Sequence, residues 1–212
     1  MTFFKKINRG LILTVVVLLI TATYLVTNAI AQSAAKPEIK IICANYIKTA
    51  ISYKMLPQNY RKENPQMPKA ELDKYIEYMS KDLNEFYTSY EQTNKFTVNE
   101  YKASLENQAQ GKGIIYNYTK EISSYKDFAF KDDTVNVTII TNSSFDGAVD
   151  ISGNNGPKSM PSTSDRQNIS SQTTDTITLQ KVNGTWKVLH ADLVLPDKGD
   201  SQNGIEPNVK TY

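Results

Sequence analysis

The hydrophobic pattern divides the chain into three stretches. From Gly10 to Ala31 the residues are uncharged and mostly apolar, with no polar face. From Ile39 to Tyr90 apolar residues recur every three or four positions, the period of helices with one covered side. Ile39, Cys43, Tyr46, Ile47, Ala50 and Tyr53 predict a first helix, opened by Pro37 in its first turn and ended before Pro57. Leu72, Ile76, Met79, Leu83, Phe86 and Tyr90 predict a second, starting near Pro68 or Lys69. Thr97 and Glu100 have capping-box spacing, so a short third helix is expected from Val98 to about Gln110, stopped by Gly111 and Gly113.

After Ile114 the period changes to two. Ile114–Lys120 and Tyr125–Lys131 are rich in β-formers, Asp132-Asp133 offers a turn, and Val135, Val137 and Ile139 alternate with polar neighbours. A stretch rich in Ser, Gly, Asn and Thr runs from Asn142 to Asp175. Strand extensions are expected near Phe145–Ile151, with a mobile tip around Gly153–Gln167. Thr176–Val182 and Thr185–Leu195 flank Asn183-Gly184, the signature of a type I′ hairpin. That turn predicts the pairs Val182/Thr185, Lys181/Trp186, Leu179/Val188 and Ile177/His190. His190 would then lie on the core face, with Leu189, Ala191, Leu193 and Leu195 together on the outer face. Asp197–Tyr212 reads as a polar, disordered tail.

Charge gives the first stretch its meaning. Lys5, Lys6 and Arg9 precede it, and no acid occurs before Glu38. Basic residues ahead of an apolar run mark the cytoplasmic side of a membrane-inserted segment. Residues 1–9 are then a cytoplasmic tip and 10–31 the insertion segment. Two outcomes stay open. Ala29-Ile30-Ala31 fits a signal cleavage site, which would release the body after Ala31. Twenty-two residues are long for a signal core and suit a span of about 20 apolar residues, which favours an uncleaved anchor. Both put the remainder outside the cytoplasm, with residues 37–196 as its one domain.

That remainder is close to neutral. Of 24 basic residues three lie in the first 31, leaving 21 against 22 acids. Without a basic cluster, nucleic acid is not expected as a ligand. Cys43 is the single cysteine and His190 the single histidine, which excludes an internal disulfide and a His/Cys zinc site. Asp127, Asp132 and Asp133 lack the alternate spacing of a calcium loop. No cofactor or metal is expected. The candidate chemistry is therefore thin: His190 and Asp192 on the last strand, with Tyr46 or Tyr53 on the first helix as hydroxyl donors.

Helices followed by antiparallel strands predict an α+β fold, with helices packed on one face of a curved sheet. The segment Ile177–Val188, with Asn183-Gly184-Thr185-Trp186-Lys187-Val188 at its end, resembles the closing hairpin of the nuclear transport factor 2-like (cystatin-like α+β) superfamily. The resemblance implies a cone-shaped domain over residues 37–196. It covers enzymes, ligand-binding modules and docking domains, including assembly factors of conjugative type IV secretion systems, which are similar in layout. The anchor and the missing catalytic set point to a membrane-anchored extracytoplasmic binding or assembly module without catalytic activity. Leu189, Ala191, Leu193 and Leu195 are its expected surface for a protein partner or self-association. The competing expectation is an isomerase- or dehydratase-like enzyme holding a small molecule in the cone around His190.

Overall fold

The computed structural model describes residues 9–62, 64–148 and 166–196. Residues 1–8 of the expected cytoplasmic tip, 153–165 of the expected loop tip and the tail 197–212 lie outside the described residues, and Gln167 at the end of that expected loop tip already opens a strand. The chain forms two compact units, Met1–Ile41 and Ile42–Tyr212.

The first unit belongs to helix α1, Arg9–Ser52. Its apolar side chains from Ile12 to Ile30 are exposed, and the helix is long and apolar enough to cross a membrane. The threonines within the apolar run are satisfied locally. Thr21 Oγ1 donates to the Val17 carbonyl at 2.9 Å and Thr23 Oγ1 to Leu19 at 2.8 Å. One expectation changes here. Pro37 lies inside α1 and does not open a new helix. Its missing N–H gives up one i→i−4 bond, a cost of about 3 kcal/mol in a helix interior, which flanking turns of strong helix formers override.

The second unit is α+β. It begins with the end of α1, where Cys43, Tyr46, Ile47 and Ala50 are buried as their spacing predicts. Then come α2 (Lys69–Asn84), α3 (Ser89–Asn94) and α4 (Phe96–Ala109). Four antiparallel strands follow in consecutive order: β1 (Ile114–Lys131), β2 (Thr134–Ala148), β3 (Gln167–Val182) and β4 (Thr185–Asp192).

Helix α2 buries Leu72, Ile76, Met79 and Leu83 but stops at Asn84, short of the expected Tyr90. The reason is a competing backbone partner. The Val188 N–H donates to the Phe86 carbonyl at 2.7 Å, and the Thr88 N–H donates to the Val188 carbonyl at 3.0 Å. Phe86–Thr88 thus pairs with the edge of β4, and Thr88 then caps α3 by accepting the Glu91 N–H. The expected Thr97–Glu100 capping box is not made either. Helix α4 starts at Phe96, after Lys95 in the left-handed conformation, and the Thr97 N–H is taken by Glu91 at 2.8 Å.

The two expected strands Ile114–Lys120 and Tyr125–Lys131 are one long strand interrupted by irregularities of register. Asp132-Asp133 makes the turn into β2, with φ +52° at Asp132. Val135, Val137 and Ile139 are fully buried and pair with Leu179, Ile177 and Asp175. Asn183-Gly184 turns β3 into β4 with φ of 51° and 85°, the left-handed pair a type I′ turn requires. Three of the four expected pairs form across it. Beyond them a bulge at Leu189 shifts the register, so Leu179 faces Val188 but Thr178 faces His190 and Ile177 faces Ala191. His190 is therefore off the core face, and it is exposed. By the same shift Ala191 shares the face of buried Ile177, so the four expected residues do not form one outer face.

Cys43 is completely buried. A buried thiol does not meet reagent until the fold opens. Iodoacetamide should leave native protein unlabelled after an hour at pH 8 and label it fully in guanidinium, as read by intact mass; rapid native labelling would contradict this packing.

Candidate functional site

Two features of the second unit place polar chemistry where it has consequences. The first is a groove of about 670 Å³ at the β4 edge. Its lining comes from α1 and the turn after it (Tyr46, Lys54), the α3–α4 joint (Tyr90, Glu91, Phe96, Thr97, Glu100, Tyr101) and the run Leu189–Leu193. The left-handed Lys95 bends the chain between α3 and α4, so Tyr90 and Phe96 stand on either side of the joint with 63% and 62% of their surface exposed. Glu91 ties the joint from within: it is buried, and its carboxylate accepts the Thr97 N–H.

Sequence-derived candidates meet here in part. His190 and Asp192, both exposed, sit at the lip, and Leu189, Ala191 and Leu193 form one wall. Leu195 lies beyond them, 39% exposed. Tyr46 reaches the groove, but its hydroxyl is paired with that of Tyr87 at 3.1 Å. Tyr53 is directed elsewhere and donates to Asp82 Oδ2 on α2 at 2.5 Å. The structure thus gathers His190, Asp192 and Tyr46 but leaves Tyr53 out.

Lys54 supplies the groove's cation. Its ammonium lies 4.4 Å from the centre of the Tyr101 ring, a cation–π contact, and has no ion-pair partner among the described residues. Burial pulls it below its ordinary pKa, and the Glu100 charge opposes that pull. Three carboxylates (Glu91, Glu100, Asp192) against one ammonium leave two negative charges in excess around the groove. Among the described residues no group of three or more His, Cys, Asp or Glu side chains stands close enough to hold a metal.

The second feature is a polar cluster on the inner face of the sheet. Lys120 and Asp175 have fully buried side chains, with Lys120 Nζ 2.6 Å from each Asp175 carboxylate oxygen. Thr141 donates to Asp175 Oδ2 at 2.6 Å, and Lys120 also donates to Thr173 Oγ1 at 2.8 Å. Ser143 and Thr173 share a further bond at 2.9 Å. Burial lowers the Lys120 pKa, while Asp175 and Asp192 push it back up. The pair also holds the chain after β4. Asp175 Oδ1 accepts the Val194 N–H at 2.8 Å, and Lys120 donates to the Val194 carbonyl at 2.9 Å. Both peptide groups flanking the Val194 Cα are therefore fixed, next to Leu193 in the groove wall.

Periodicity alone did not reveal this cluster. Its trace was present: the alternation that gives Val135, Val137 and Ile139 continues as Thr141 and Ser143, and on β3 Ile177 is preceded by Asp175 and Thr173. Polar residues in register on a face that should be apolar announce a satisfied buried network.

No family model matches the chain, and no curated protein matches it. Among solved structures it is similar to the intermembrane space region of the chloroplast protein ARC6, with 12% identity and a TM-score of 0.42. That match covers 76% of this chain and 96% of the other.

Removing one partner of a buried ion pair costs about 3–5 kcal/mol, whereas replacing both with apolar groups of similar size is often tolerated. Asp175→Ala should lower unfolding free energy by about 3–5 kcal/mol in a urea titration. Lys120→Met combined with Asp175→Leu should recover at least half of that loss. Additive losses would mean that the two side chains do not act as a pair.

Proposed function

We propose that the chain is a membrane-tethered, extracytoplasmic docking module that performs no chemistry of its own. The observation that carries this reading is the β4-edge groove, where two aromatic rings remain exposed beside an aliphatic wall. Aromatic side chains left in water next to a concave apolar surface are the usual composition of an interface core. The long apolar helix supports the tether, with an uncleaved anchor over residues 10–31 favoured by length. Three basic residues ahead of it support a second unit on the outer side.

The order of helices and then an antiparallel meander supports the resemblance to the nuclear transport factor 2-like superfamily. An assembly role, of the kind filled by conjugative type IV secretion factors, is one use for a domain held at a membrane with an open docking groove. The chemistry at the lip favours docking over catalysis. His190 and Asp192 are exposed to water, and the Tyr46 hydroxyl is occupied by that of Tyr87.

In-cell photocrosslinking tests the reading. A benzoylphenylalanine placed at Tyr90 or Phe96 should give a discrete higher-mass adduct, and one placed at exposed Glu121 on β1, three strands away from the groove edge, should give none. Leu193→Glu should abolish the adduct while leaving the circular dichroism spectrum unchanged. An absence of adducts from either groove position, or equal adducts from Glu121, would contradict the docking role.

A further inference from the structure

We infer that the segment received by the groove is cationic and amphipathic: a stretch of a partner protein with bulky apolar side chains flanked by Lys or Arg. The inference rests on the docking reading above and adds the chemistry of the occupant. Glu100 and Asp192 are both exposed at the lip; neither side chain makes a hydrogen bond or ion pair among the described residues, and each acts only through space, Glu100 on Lys54 and Asp192 on Lys120. Glu91 adds a third carboxylate, though its oxygen is already engaged by the Thr97 N–H. The single ammonium, Lys54, is drawn onto the Tyr101 ring. What faces an incoming group is therefore negative charge, and an anionic partner would meet like charge at the lip.

The aromatic groups agree with the carboxylates. The exposed faces of Tyr90 and Phe96 suit Lys and Arg as well as apolar side chains, because an aromatic face attracts a cation. Leu189 and Leu193 along the opposite wall supply surface for the apolar residues. A small molecule fits less well, since the two most exposed rings spread the contact surface outward. A second copy of this chain brings a near-neutral body and no basic run.

A random peptide library displayed on phage tests the inference. It is selected on the purified chain in detergent and counter-selected on an E100K/D192K variant. Enriched peptides should carry net positive charge with at least one Leu, Phe or Trp. A synthetic copy of the leading peptide should bind at least tenfold more weakly to E100K/D192K, and about threefold more weakly to E100Q/D192N. Its Kd should rise at least fivefold between 50 and 500 mM NaCl, because exposed charges are screened. Neutral or acidic peptides that lose binding on Leu193→Glu would overturn the cationic occupant and leave the docking groove standing. Peptides indifferent to Leu193→Glu, or no enrichment at all, would overturn both. A concentration-dependent dimer by sedimentation, dissolved by Leu193→Glu, would replace the partner segment with a second copy.

Discussion

The pairing of Lys120 with Asp175 is the constraint on which the arrangement of this sheet turns. Two charges with no solvent exposure are tolerable only when their hydrogen-bonding capacity is filled. Here it is filled from three directions: Thr141 and Thr173 on neighbouring strands, and both peptide groups around Val194 in the segment after β4. An ammonium and a carboxylate cannot slide one residue along a strand without losing all of these partners. The pair therefore locks the register of β1, β2 and β3 in a region where Thr and Ser replace the aliphatic residues that set it elsewhere.

The same bonds give the groove its definition. Strand β4 is short and leaves the regular ladder at Asp192. A segment continuing from there would ordinarily fray. Fixing Val194 on Asp175 and Lys120 holds Leu193 in the groove wall, while the bulge at Leu189 turns His190 and Asp192 toward the lip. On the opposite side, Phe86–Thr88 pairs with Val188 and breaks what would have been one long helix into α2 and α3, placing Tyr90 and Phe96 beside the opening. Two departures from regular structure, one in a strand and one between helices, thus face each other across the site.

How much of this was legible depended on how local the cause was. The α+β class, the buried stripe Leu72–Leu83 and the Asn183-Gly184 turn follow from periodicity and turn chemistry within a few residues. The misplaced features have distant causes. The end of α2 is set by a backbone partner about a hundred residues away, and the capping box at Thr97 loses to a buried glutamate of the preceding helix. The His190 error came from extending a regular ladder through a bulge, where one extra residue reverses every side chain beyond it. The Lys120–Asp175 cluster joins positions 55 apart in the chain. It could have been suspected from polar residues in phase with apolar ones, but not paired without the fold.

Exchange of the Val194 amide with solvent is the most direct measure of whether the buried pair anchors the wall of the groove. Among the described residues this N–H belongs to no ladder and is held only by Asp175. Followed by nuclear magnetic resonance in deuterated buffer, it should exchange on the slow scale of core-strand amides such as Leu179, which open only with the sheet. Exchange of Val194 at the rate of an unprotected loop, with Leu179 still protected, would show that the segment is not held and that the groove wall has no such anchor.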